Sequence, residues 1–208
     1  KAAARMAVGE ALTNLASAPI PALHFVRLSA NWMAPAGHVG EDARLFDAVE
    51  TIVLDLCPAL GIAIPVGKDS MSMQTLWTED AAETSVTSPL PLIVTAFAPV
   101  DDIRLGLTPE LRADSESRLL LVDLGFGKNR LGASALAQVY STIGNDPPNV
   151  DEPDRLRAFF ETTQTLIRDR RILAYHYRSA GGFFTTAVEM DVAGGTALQI
   201  DRDSHPGS

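Results

Sequence analysis

Segments of helical period alternate with segments of strand period along this chain, and that alternation leaves only mixed architectures open. Residues 2 to 17 are strong helix formers, with Val8, Leu12 and Leu15 at i, i+4 and i+7 forming an apolar stripe. Pro19 and Pro21 stop that helix. Leu23 to Ala30 alternates apolar and polar residues and reads as a strand, ending in a loop from Asn31 to Gly40. Glu41-Asp42 opens a second helix, acidic where the helix dipole favours it, running through Phe46, Val49, Ile52, Val53 and Leu56 until Pro58 and Gly61 close it. Ile62 to Val66 is a short apolar strand leading into Gly67-Lys68-Asp69-Ser70. Residues 78 to 89 are polar and turn-rich and form the best internal boundary. Beyond it, Leu90 to Val100, Arg118 to Leu124, Ile172 to Tyr175 and Thr196 to Ile200 read as strands. Gly132 to Ile143, Pro153 to Arg171 and Phe183 to Val192 read as helices, and the polar tail Asp201 to Ser208 is expected to fray.

The charge balance narrows the function classes. With 17 Lys and Arg against 26 Asp and Glu in 208 residues, the net charge is −9, which argues against the broad basic surface that nucleic acid or an acidic membrane needs. Phosphorylated small molecules stay open, because a bound metal can bring the missing positive charge. A hydrophobic content of 46% excludes disorder over most of the length. The single cysteine, Cys57, cannot form an internal disulfide, so a reducing cytoplasm is the expected home. No apolar run approaches the roughly 18 to 20 residues of a membrane span. The Ala-rich start Lys1 to Arg5 reads as a helix rather than a targeting signal. The chain lacks an initiating Met, so it is expected to be a piece of a longer one.

Several patterns could carry chemistry. Glu10 and Asn14 lie at i and i+4 on one helix face, roughly opposite the apolar stripe. The pair offers oxygen ligands suited to Mg²⁺, or is simply a solvated face. Gly125-Phe126-Gly127-Lys128-Asn129-Arg130-Leu131-Gly132 stands between a strand and a helix, where a phosphate loop would be. Arg130 occupies the third Rossmann glycine position, however, and Ala133-Ser134 follows Gly132 in place of Lys-Ser/Thr, so a plain glycine turn is the better reading. His176-Tyr177-Arg178-Ser179-Ala180-Gly181-Gly182 is either an anion-binding turn at a helix start or a tight strand-to-helix turn. Lys68 and Asp69 sit at a strand end where phosphate or metal contacts often form. Cys57 reads as a packed, inert thiol, Asn31-Trp32-Met33 and His38 as a loop with one aromatic anchor, and the four histidines show no zinc-ligand spacing.

Taken together, these segments resemble phosphoribosylformylglycinamidine synthase, most of all its large single-chain form. The resemblance rests on Ala7 to Asn14, Leu28 to Met33, Gly37 to Asp42, Cys57 to Gly61, Pro65 to Met73, Val86 to Leu90, Leu131 to Tyr140 and Leu173 to His176, in that order, and covers roughly residues 5 to 195. It implies an ATP-dependent ligase of purine biosynthesis that makes formylglycinamidine ribonucleotide from formylglycinamide ribonucleotide and glutamine-derived ammonia. Such an enzyme activates the amide oxygen by phosphorylation, ammonia then displacing phosphate, with Mg²⁺ neutralising phosphate charge.

The implied fold is α+β: a partial aminoimidazole-ribonucleotide-synthetase-like unit. Residues 1–85 would belong to its barrel-forming subdomain, residues 86–200 would begin its α/β subdomain, and 201–208 would form a disordered tail. The implied ligands are Mg²⁺ and ATP or ADP, with formylglycinamide ribonucleotide as substrate. The implied partners are the remaining synthase unit and the glutaminase domain, without nucleic acid or membrane, in the cytoplasm. Residue by residue, Glu10 and Asn14 match family positions that ligate Mg²⁺, and Ser179 matches a nucleotide-contacting serine. A further ligand, an aspartate upstream of Glu10, has no counterpart here, and Cys57 does not stand in for the glutaminase nucleophile. The family turn resembles His-Asp-x-Ser-Asp-Gly-Gly, and here Tyr177 and Ala180 replace its aspartates. A phenol, with a pKa of about 10, is neutral at pH 7 and a poor substitute for a carboxylate. Two readings follow: a piece of an active ligase whose nucleotide site is completed elsewhere, or a structural pseudo-site supporting a catalytic partner unit.

Overall fold

Strand β1 (Arg27–Met33) is the centre of the fold. In the computed structural model, which describes residues 1–114, 116–178 and 180–200, it pairs in parallel with β2 (Ala63–Ser70) and antiparallel with β5 (Leu92–Phe97). Its period of two turns Leu28, Ala30 and Trp32 into the core, opposite Ala96, Val94 and Leu92 of β5. The β1–β2 register slips between Ser29 and Arg27, where three steps of β2 match two of β1. Pro65 lies in that slip and has no N–H to offer a ladder, so the irregularity falls where a regular ladder could not form.

Helix α1 (Ala2–Leu15) buries Val8 and Leu12 fully against this sheet. A second helical stretch connects β1 to β2. It runs as α2 (Glu41–Glu50), a π-helical segment from Thr51 to Leu56, and α3 (Cys57–Leu60). The π segment ends two residues before Pro58, which cannot donate a helical hydrogen bond and whose ring crowds the carbonyl one turn back. The chain therefore passes through Pro58, and the helix ends only at Gly61, left-handed at φ 69°. Ile52, Leu56 and Leu60 complete the core from this side.

The C-terminal end of α1 is closed by residues far along the chain. A helix end leaves carbonyls without helical partners. Here Ala16 N–H donates to Leu12 O and Ser17 N–H to Asn14 O. The Tyr175 hydroxyl donates to Thr13 O at 2.5 Å, and Gln164 Nε2 donates to Ala16 O at 3.1 Å. Gln164 Oε1 also accepts from Ile20 N–H at 2.7 Å, and Arg168 Nη2 donates to Ile20 O and Pro21 O at 2.6 and 2.8 Å. Gln164 and Arg168 belong to α5 (Pro153–Arg168), whose buried Leu156 and Phe160 join the same core. Val150, just before α5, approaches so closely that a Cβ on Gly9 would lie 2.8 Å from its Cγ2.

The architecture is α+β, with no closed barrel among the described residues. Several expected elements differ. Leu23–Phe25 is a single 3₁₀ turn, and Asn31-Trp32-Met33 belongs to β1 rather than a loop, with Trp32 buried. The polar stretch 78–89 is not a linker: it forms most of a β-hairpin, β3 (Gln74–Glu79) with β4 (Ala82–Thr87), whose side chains are almost all exposed. Arg118 to Leu124, Ile172 to Tyr175 and Thr196 to Ile200 are extended or irregular without strand pairing, because β propensity becomes a strand only beside a partner. The expected helix 132–143 shrinks to α4 (Ala135–Val139), capped by Ser134, whose hydroxyl accepts from Ala137 N–H. Helix α6 (Gly182–Gly194) closes the described chain. The tail Asp201 to Ser208 lies outside the described residues. Strand β5 and helix α5, both beyond residue 85, share one core with the elements before it. Among the described residues no helix is long and apolar enough to cross a membrane.

Gln164→Ala leaves the Ala16 carbonyl and the Ile20 N–H without partners in a buried setting. Each such group costs about 1–3 kcal/mol, so urea denaturation should show a loss of roughly 2–4 kcal/mol with an unchanged m-value.

Candidate functional site

Glu10 and Asn14 stand one turn apart on the exposed side of α1, away from buried Val8 and Leu12. With Ala7 and Ala11 they form one wall of a cleft of about 330 Å³. Leu92, Ile93 and Val94 of β5 form a second wall, and Tyr177 forms the third. Residues separated by about 80 and 165 positions thus meet at one helix face.

Tyr177 is held there by the segment that carries it. From Tyr175 to Tyr177 alternate side chains face opposite ways. Tyr175 reaches Thr13 and Tyr177 lines the cleft, both on α1. His176 turns to α6, its Nε2 2.7 Å from Glu189 Oε2. Tyr175 N–H donates to Thr108 O at 2.9 Å, which fixes the backbone. The His176 ring also meets Tyr177 edge-on, with centroids 5.6 Å apart. Burial, with a smaller contribution from Tyr177, pushes the Tyr175 phenol well above its ordinary pKa, so it remains a protonated donor.

Beyond Tyr177 the chain turns into α6. Gly181 precedes that helix at φ 90°, and a Cβ there would come within 2.3 Å of Thr185 Oγ1, so both conformation and space demand glycine. Ala180 is exposed in the turn. Ser179 lies outside the described residues.

The side-chain oxygen donors of the cleft are therefore one carboxylate, one amide and one phenol. Among the described residues no three His, Cys, Asp or Glu side chains gather where a metal ion could sit. This set does not make a free-standing cation site. It matches the minimal protein share of a Mg²⁺ that arrives with phosphates, for which one or two carboxylates suffice.

Other sequence candidates lie elsewhere, and the glycine loop and Lys68 are internally engaged. In the glycine loop, Asp123 accepts from Gly125 N–H at 2.8 Å and Gly127 N–H at 2.5 Å. Those donors also hold the Asp123 carboxyl below its usual range, so they face a protein carboxylate instead of a ligand phosphate. Lys128 and Arg130 both bind Asp151, at 3.0 and 2.6 Å, and hold its carboxyl well below the usual range, Arg130 contributing most. Arg155 stacks over Phe126 at 3.1 Å. Lys68 donates to Ser70 on its own strand. Cys57 is buried, and burial pushes its thiol up to about 11.

The β5 wall and the Tyr175 anchor have no motif of their own in the sequence; the alternation Tyr175-His176-Tyr177 shows only that two phenols share one side.

Residues 1–99 match the family model of the FGAR-AT PurM_N-like domain, a stretch that runs from α1 through β5. The match relates this part of the chain, including Glu10, Asn14 and the β5 wall, to the FGAR amidotransferase family.

Cys57 gives a check on the packing behind the site. Its folded pKa is raised, so the thiol favours the folded state fully below about pH 9, and that contribution declines as pH rises toward 11. Denaturation midpoints of the wild-type chain should fall between those pH values by more than those of Cys57→Ala. A disulfide reagent at pH 8 should label native Cys57 far more slowly than the unfolded chain.

Proposed function

We propose that this chain is part of the synthase half of the large single-chain formylglycinamide ribonucleotide amidotransferase, and that its own cleft is a nucleotide site that supports the assembly without turning over nucleotide. The parent reaction transfers a phosphoryl group from ATP to the substrate amide oxygen. Ammonia released from glutamine then displaces phosphate at that carbon, giving the amidine. In this reading the turnover site belongs to the partner unit, and ammonia comes from the glutaminase domain. The proposed setting is the cytoplasm, with 1–85 and 86–200 as parts of two subdomains.

One observation carries the reading: Tyr177 lies across the cleft from Glu10 and Asn14. Glu10 and Asn14 would hold Mg²⁺ beside the nucleotide phosphates, and Ser179 would contact the nucleotide. Bound there, Mg²⁺ would neutralise phosphate charge. Tyr177 presents a phenol where a further carboxylate oxygen would strengthen that hold. A site built this way keeps a nucleotide without drawing its terminal phosphate into reaction.

Two measurements test this. The chain supplied with ATP, Mg²⁺, formylglycinamide ribonucleotide and ammonia should form no amidine; formation of product refutes the non-catalytic reading. In calorimetry, Tyr177→Asp with Ala180→Asp should tighten Mg-ADP binding by about tenfold or more, with the gain lost in chelator. Unchanged affinity with and without Mg²⁺ would mean that Tyr177 does not limit the site.

A further inference from the structure

We propose that Tyr175 is a positioning residue whose hydroxyl, bonded to the Thr13 carbonyl, sets where Tyr177 stands over Glu10 and Asn14. The inference deepens the reading of the cleft as a binding site and rests on it for its functional meaning.

Thr13 O is one of the carbonyls that a helix terminus leaves over, since Ser17 N–H bonds Asn14 O instead. Tyr175 supplies the missing donor across 162 positions of sequence. Thr13 directly precedes Asn14 and lies one turn after Glu10, so the anchored carbonyl sits within the site's own helix turn. Two residues on, an extended backbone brings the next same-side side chain to the same helix, and that residue is Tyr177. The hydroxyl thus fixes the register between α1 and the Tyr175–Tyr177 segment. A slip of one residue would turn His176 toward α1 and Tyr177 toward α6.

Among the described residues, three contacts hold this segment. Tyr175 N–H on Thr108 O fixes its backbone height, and His176 on Glu189 ties its far face to α6. The Tyr175 hydroxyl ties the near face to α1. Removing it takes away the bond that sets the height of position 177 over the Glu10–Asn14 turn, while the contacts to Thr108 and α6 stay. The cleft would then open on its third side, and any residue at position 177, tyrosine or aspartate, would lose its placement.

The test uses the full chain with isotopically labelled tyrosine. Its three tyrosines, 140, 175 and 177, are assigned by single Tyr→Phe changes. Tyr175→Phe should shift the Tyr177 ring resonances and abolish the nuclear Overhauser contacts between that ring and the Glu10 and Asn14 side chains, leaving Tyr140 unmoved. A merely structural hydroxyl would lower the melting temperature and leave those contacts intact, which overturns the proposal. Should the variant fail to fold, the wild-type chain decides. The Tyr175 hydroxyl proton should be protected from exchange and in contact with the last turn of α1, and a freely exchanging proton overturns the proposal. A binding arm separates this inference from the proposed function. Any Mg-ADP affinity gained by Tyr177→Asp with Ala180→Asp should be lost when Tyr175→Phe is added. A double variant that gains nothing counts against the proposed function, while the ring contacts still decide the role of Tyr175.

Discussion

The structure depends on how the end of α1 is closed. Leu12, Asn14 and Leu15 carbonyls find local partners, while among the described residues the partners of Thr13 O, Ala16 O and the following Ile20 come from α5 and the segment after it. A buried backbone group without a partner costs about as much as a typical core truncation, so these few bonds weigh heavily beside the apolar packing of Val8, Leu12, Leu156 and Phe160. They also have direction, which apolar contacts lack. Gln164 reads both a carbonyl and an N–H of the α1 exit with one amide, and so fixes where Pro19 to Pro21 leave the helix.

That closure explains why the candidate site draws on distant parts of the chain. Glu10 and Asn14 come from α1, Leu92 to Val94 from the antiparallel edge of the sheet, and Tyr177 from a segment that is not a strand at all. Each is positioned by backbone hydrogen bonding: the α1 ladder, the β1–β5 register, and the two bonds made by Tyr175. The similarity to the FGAR-AT PurM_N-like domain spans the first two contributors, and the third lies beyond the matched residues.

Much of this was legible in the sequence where period and punctuation agree. Residues 2–15 carry an apolar stripe, Pro19 and Pro21 follow, and the expected helix forms up to Leu15. Glu41 to Gly61 has an acidic start and a glycine stop, and its helical path holds even through Pro58. Leu92 to Phe97 and Pro153 to Arg168 fall inside their expected segments. The expected strands that did not form share a cause. Arg118 to Leu124 and Ile172 to Tyr175 have strand composition without a neighbouring strand, and pairing is not written in a single segment. The hairpin of residues 74–87 escaped because its exposed faces erase the apolar alternation that marks a half-buried strand. At the site, the Glu10–Asn14 spacing was readable from helical geometry, and the substitution at Tyr177 from resemblance. The anchoring of Thr13 by Tyr175 was not, because a helix-end carbonyl gives no sign in sequence of which distant donor will fill it.

The central claim is that α1 and the C-terminal elements form one cooperative unit through the groups at the α1 exit. The Ile20 amide reports on it alone, since its partner is the Gln164 side chain, 144 positions away. Native-state hydrogen exchange should give Ile20 the same opening free energy as the buried amides of Val8 and Leu12, with all three tracking global unfolding in denaturant. Rapid exchange at Ile20 by local opening, while Val8 and Leu12 stay protected, would contradict the account.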